Sequence, residues 1–242
     1  MANLSQKLTR LLRGQLNLKL QRFNSTGCKL IYCEHGDPVK VIRKETETIP
    51  DPAKDEVLIK MLAAPVNPAD INTIQGKYPV RPPLPAVAGN EGVGEVVSVG
   101  SGVTDFQQGD RVVPLVSALG TWRTHCILPK NNLLKVPKKL GLVEAATLSV
   151  NPCTAYRMLR DFVDLKPGDT VIQNGANSAC GQNVIQICRA WGLRSVNVIR
   201  DRAGVNELRC FLKDLGATHV LTEEELRKTQ IFKNGELDKP KL

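Results

Sequence analysis

An α/β chain in two parts is what this sequence of 242 residues predicts: a β-rich N-terminal part, then helices alternating with parallel strands. Three observations carry that prediction. From residue 30 to about 150, proline and glycine cut the chain into short apolar runs that suit strands between turns. From about 151 the apolar runs alternate with amphipathic helical stretches, the pattern of βαβ units. Residues 170–192, TVIQNGANSACGQNVIQICRAWG, read as a strand, a glycine-bearing turn and a helix. Only 61 residues follow Gly181, whereas doubly wound sheets join two βαβαβ halves, so the second part is expected to be an incomplete sheet of this kind.

The elements follow in chain order. Residues 1–27 are expected to be a mitochondrial transit peptide. Leu4, Leu8, Leu11 and Leu12 make a helical apolar stripe, six of the 33 basic side chains fall within residues 1–33, and no acid precedes Glu34. The remaining 27 basic residues face 24 acidic ones, so six of the nine net positive charges lie within residues 1–33, only three are left for the rest, and nucleic-acid binding is not expected. No apolar run is long enough to span a membrane. Leu8-Thr9-Arg10-Leu11-Leu12 also spells LxxLL, a helix-in-groove anchor that leucine-rich leaders produce by chance. Residues 28–150 form the predicted β-rich domain, with strands in VLIKMLAAPV, GVGEVVSVG, DRVVPLV and HCILP. Residues 151–242 form the second domain, with strands TVIQN, SVNVIR and THVLT among helices TAYRMLRDFV, GQNVIQICRAW and NELRCFLKDL.

Side-chain chemistry narrows the function. Seven cysteines without a CxxC pair indicate neither zinc nor a disulfide framework, and they read as reduced, mostly buried small hydrophobes. Cys180, near a predicted helix start, is expected to have a lowered pKa. His35, His125 and His219 lie apart with no nucleophile elbow, which argues against a hydrolase triad. Gly175 and Gly181 bracket a turn that lets backbone approach a pyrophosphate, while Ser178 and Ala179 stand where a full glycine fingerprint has glycine. Ser178 offers a hydroxyl donor in exchange, and Ala179 disfavours any positive φ there. The next strand ends in Arg200-Asp201-Arg202. Arginines at this place accommodate the 2′-phosphate of NADP, so NADPH is the expected cofactor.

GNEGVGEVVSVG at 89–100, SVNPCTAYRML at 149–159 and VIQNGANS at 171–178 resemble the medium-chain dehydrogenase/reductase superfamily, and within it the zinc-free mitochondrial 2-enoyl thioester reductases. The resemblance implies a GroES-like substrate domain before a partial Rossmann domain, C-terminal truncation, and a homodimer whose surface is missing here. It implies NADPH-dependent reduction of enoyl thioesters of acyl-carrier-protein or CoA, in mitochondrial fatty acid synthesis. Zinc-dependent members carry a metal-binding histidine where this chain has Asn90, and a cysteine near Asn67-Pro68-Ala69-Asp70, so no metal is expected. By resemblance Tyr78 is the catalytic acid, and Asn151 belongs to the cleft between domains, though asparagine before Pro152 also suits a helix N-cap. The candidate cofactor set is Asn151, Asn177, Ser178, Ala179, Cys180, Arg200, Asp201 and Arg202. Two alternatives stand beside reductase activity: a zinc-free quinone oxidoreductase and a non-catalytic truncated binding protein.

Overall fold

The computed structural model describes residues 25–116, 118–231 and 237–238. The LxxLL run and the leader through residue 24 lie outside the described residues. The leader boundary expected at 27 falls within the first strand.

That strand, β1 (Ser25–Tyr32), pairs antiparallel with β2 (Ile42–Ile49) from Ser25↔Ile49 to Tyr32↔Ile42. A short helix, α1 (Pro38–Val41), turns the chain between them, with Asp37 Oδ1 accepting from Val39 N at 3.1 Å. Strand β4 (Ala86–Val87) adds to the other side of β1. The larger sheet has the order β7-β3-β5-β6-β8 and is built from β3 (Glu56–Ala63), β5 (Val93–Val99), β6 (Arg111–Pro114), β7 (His125–Pro129) and β8 (Leu133–Lys135). Val57, Ile59, Val96, Val112, Cys126 and Leu128 pack its core. Helix α2 (Pro68–Ile74) crosses between β3 and β4, and α3 (Leu142–Ala146) packs against β3 and β5.

Beyond α4 (Asn151–Arg160) the chain alternates: β9 (Thr170–Gln173), α5 (Ala179–Ala190), β10 (Arg194–Ile199), α6 (Val205–Leu215), β11 (His219–Thr222). The three strands are parallel in the order β11-β10-β9, the first half of a Rossmann sheet. Helix α5 buries Gly181, Val184, Ile185 and Cys188, an i, i+3, i+4, i+7 stripe that faces two apolar clusters at once. After β11 come α7 (Glu223–Arg227) and the paired strands β12 (Gln230–Ile231) and β13 (Leu237–Asp238). Among the described residues β9 pairs with β10 alone, and its Ile172 is 53% exposed.

Central strand β10 carries buried polar residues where a parallel strand is usually apolar throughout. Asn197 Nδ2 lies 2.9 Å from Ser195 Oγ and 3.0 Å from the His219 carbonyl of β11, while Asn197 Oδ1 accepts from Gln173 Nε2 of β9 at 2.8 Å. One amide therefore ties three strands together.

Candidate cofactor cleft and domain junction

The glycine turn is built by three local devices. Gly175 takes the left-handed φ of +58° that reverses the chain after β9, where a side chain would be strained. Ser178 caps α5, its Oγ accepting from Gly181 N at 3.1 Å, and its single hydroxyl hydrogen stays free to donate. Gly181 lets the helix approach the turn closely: a Cβ there would stand 2.7 Å from Ala176 Cα and O. Gln173 Nε2 donates to the Gly181 carbonyl at 3.0 Å, so the strand end also holds the helix start. Gly181→Ala should cost about 1–3 kcal/mol by overpacking against backbone that cannot yield. Denaturant titration of both proteins checks this.

At the carboxyl ends of β9 and β10, where open α/β sheets bind ligands, a cavity of about 310 Å³ is lined by Asn174, Gly175, Asn177, Ser178, Arg200, Arg202 and Glu223, with Val198 and Ile199. Four residues of the sequence-derived set thus meet in one place: Asn177, Ser178, Arg200 and Arg202. Asp201, exposed, is not in the lining. Ala179 is the first residue of α5 and has no positive φ; Gly175 takes that role, so the concern over alanine there falls away. Cys180 faces a neighbouring cavity beside Met158, Ile172 and Leu226. Burial in that apolar setting raises its pKa, which corrects the expectation of a lowered one: desolvation of the thiolate outweighs the helix end. Buried Cys188 is pushed up to about 11 for the same reason. Only Cys126 and Cys188 are fully buried, while Cys33, Cys153 and Cys210 are exposed, so the cysteines are less interior than their apolar character suggests. Glu223, at the start of α7, was not anticipated; position after a strand end was its only signal.

A second polar cluster joins the two parts of the chain. Asn67, just before α2, donates from Nδ2 to Glu91 Oε1 at 2.8 Å and accepts at Oδ1 from Asn151 Nδ2 at 3.1 Å. Glu91 Oε2 accepts from Val150 N at 2.9 Å and Ser149 Oγ at 3.1 Å, so both carboxylate oxygens are occupied in a side chain 1% exposed. Asn151 is the first residue of α4 and Val150 takes the cap position, which corrects the N-cap reading. Its Nδ2 is spent on Asn67 because that partner approaches from the other domain. Tyr78 follows α2, its backbone N–H donating to the Asn72 carbonyl at 3.2 Å, with the side chain 37% exposed. Neither Tyr78 nor Asn151 lines the 310 Å³ cavity. Trp122 packs on the Tyr32 and Ile74 cluster and donates from Nε1 to the Pro65 carbonyl at 3.0 Å.

Asn90 and Asp70 bond each other directly, Nδ2 to Oδ1 at 2.6 Å, and Asn90 Oδ1 accepts from Ala118 N at 3.1 Å. Asp70 Oδ2 accepts from Asn67 N at 2.7 Å. Desolvation raises the Asp70 pKa above its ordinary 3.8, against those hydrogen bonds and with added repulsion from Glu91. Ionisation is thus disfavoured in the folded state: below 3.8 it costs nothing, and the cost grows as pH climbs through the raised folded value. Relative to Asp70→Asn, the parent should lose stability across that window, as denaturant melts at stepped pH will show. Among the described residues no three His, Cys, Asp or Glu side chains gather as a metal site, and no helix is long and apolar enough to cross a membrane.

Comparison with known proteins agrees with this fold. Residues 53–138 match the alcohol dehydrogenase GroES-like domain. The chain is 50% identical over 223 residues to the mitochondrial enoyl-[acyl-carrier-protein] reductase of Xenopus tropicalis, covering 90% of this chain and 64% of that protein. Superposition on Etr1p in complex with NADP and crotonyl-CoA gives a TM-score of 0.80 at 40% identity, covering 83% of this chain and 62% of that one. Escherichia coli quinone oxidoreductase complexed with NADPH follows with a TM-score of 0.71 at 27% identity, covering 82% and 59%. The chain spans 54–64% of the length of the curated relatives it matches. The chain thus carries an alcohol dehydrogenase GroES-like domain ahead of a partial Rossmann sheet, and over most of its length it is similar to the mitochondrial enoyl thioester reductases.

Proposed function

We propose that this chain serves NADPH-dependent reduction of trans-2-enoyl thioesters, of acyl-carrier-protein or CoA, in the mitochondrial matrix and for fatty acid synthesis. The observation that carries the reading is the cavity in which Arg200 and Arg202 face the glycine turn and the capped start of α5. The donor set fits a phosphorylated dinucleotide. Gly175 leaves open space where a Cβ would stand, the α5 N–H groups offer a pyrophosphate site, and two guanidiniums suit a 2′-phosphate. Bound there, NADPH supplies hydride to the β-carbon of the substrate. The protein's own residues do the rest. Arg200 and Arg202 hold the phosphate end, Asn177 and Ser178 border the diphosphate, and Asn151 presents its amide at the domain junction. Tyr78 then donates its phenolic proton to balance the charge that builds on the thioester. The complex of Etr1p with NADP and crotonyl-CoA supports the substrate class, and the frog relative supports mitochondria and the carrier protein. Relatives from Candida tropicalis form a heterodimer, which supports a paired assembly.

A thermal melt with and without NADPH tests the cofactor arm: at 100 times Kd the ligand should add about 2.7 kcal/mol of stability, and NADH at the same concentration much less. Turnover of a short 2-enoyl thioester then separates this reading from quinone reduction, which the likeness to quinone oxidoreductase favours. A shift with NADPH but reduction of a quinone alone would select the second reading; no shift at all would leave a non-catalytic binding role.

A further inference from the structure

We infer that Glu91 is a positioning residue that fixes the direction of an amide relay, Glu91 to Asn67 to Asn151, so that Asn151 meets its ligand as a hydrogen-bond acceptor. An asparagine amide has two ends of nearly equal shape and opposite chemistry, so its orientation is set by whichever neighbour cannot invert. Here that neighbour is a carboxylate, which can only accept. Asn67 must therefore turn Nδ2 to Glu91, and does, at 2.8 Å. Its Oδ1 is left facing α4, where Asn151 must answer with Nδ2, at 3.1 Å. Asn151 Oδ1 remains, with no partner among the described residues. The ligand group it takes is a donor: the N–H of a carboxamide or the O–H of a ribose. That last assignment rests on the cleft reading proposed above; the relay itself does not.

Replacing the carboxylate by an amide reverses the whole chain. The Val150 N–H that Glu91 Oε2 accepts belongs to the backbone and cannot flip. In Glu91→Gln the new carbonyl stays on Val150, the new NH2 faces Asn67, Asn67 turns over, and Asn151 turns over after it, now offering a donor to a donor. Asn151→Asp alone sets a carboxylate against Asn67 Oδ1. In the double variant each change repairs the other: the turned Asn67 donates to the new carboxylate, which still accepts from the ligand.

The test is a double-mutant cycle read on the 242-residue chain. Each single substitution should lower the melting temperature by about 3–6 °C, with the double variant within about 2 °C of the parent. In an Asn67→Ala background the rescue should vanish, since a simple exchange of charge between the two positions would survive there. NADPH binding, followed by nucleotide fluorescence, should weaken about tenfold in Glu91→Gln and return to within about threefold in the double variant. If a single variant fails to fold, a cooperative melt of the double is the rescue. Additive losses, a double that does not fold, or rescue that persists without Asn67 would overturn the relay. A rescued melt in a chain that binds no NADPH would uphold the relay and sink the cofactor reading instead.

Discussion

Tyr78→Phe should leave the melt and the NADPH affinity of the protein unchanged while enoyl thioester reduction falls by about 10²–10⁴-fold, the usual worth of a positioned proton donor. The half-exposed side chain sits in a loop held to α2 by two backbone bonds to the Asn72 carbonyl, so losing one oxygen removes chemistry and disturbs no packing. Nicotinamide absorbance, followed with a short 2-enoyl thioester, measures the loss. The decisive quantity is the split: a fall in kcat at constant KM assigns Tyr78 to the transition state. Unaltered turnover would remove Tyr78 from the mechanism.

A comparable effect is expected from reversing charge at the strand end. Arg200→Glu with Arg202→Glu should weaken NADPH binding by about 10²-fold or more, since hydrogen bonds to charged groups contribute about 1.5–3 kcal/mol each and the new carboxylates repel a phosphate. NADH, lacking that phosphate, should bind at least as well as before, so preference between the nucleotides inverts. Glu223 in the same lining sharpens the expectation, because the variant would leave the cavity with three carboxylates and no cation among its lining residues. Equal losses for NADPH and NADH would show that the arginines act on the fold and not on the phosphate.

Much of the architecture was legible because it is written locally. HCILP became β7 residue for residue, and the strand–turn–helix at 170–192 appeared with glycine at its reversal and serine at its cap, each dictated by backbone geometry within a few residues. The meeting of Asn177, Ser178, Arg200 and Arg202 in one cavity followed, since all four come just after the ends of neighbouring strands. The domain junction was not legible. Glu91 reaches Asn67 across 24 positions and Ser149 across 58, and Asn151 reaches Asn67 across 84; no periodicity reports such contacts. A trace existed in GNEGVG, where a charged residue stands among glycines ahead of an apolar strand and needs buried partners. Cys180 misled because its pKa depends on how much water the packed apolar neighbours exclude, which spacing does not encode.

The Asn197 amide decides which neighbours may lie beside each other. The valine, isoleucine and leucine positions of β9, β10 and β11 would by themselves allow several nearly equivalent registers, because such side chains contact one another equally well two residues along. Asn197 removes that freedom against β9, where Gln173 Nε2 meets its Oδ1 in a single alignment and a slip leaves a buried amide oxygen unpaired, while its Nδ2 takes the His219 carbonyl of β11. Asn197→Val would then yield a sheet of similar content in which the turn at Gly175 and the arginines at 200 and 202 no longer arrive opposite each other in every molecule. What that asparagine contributes is agreement among copies of the protein about where the candidate nucleotide pocket is.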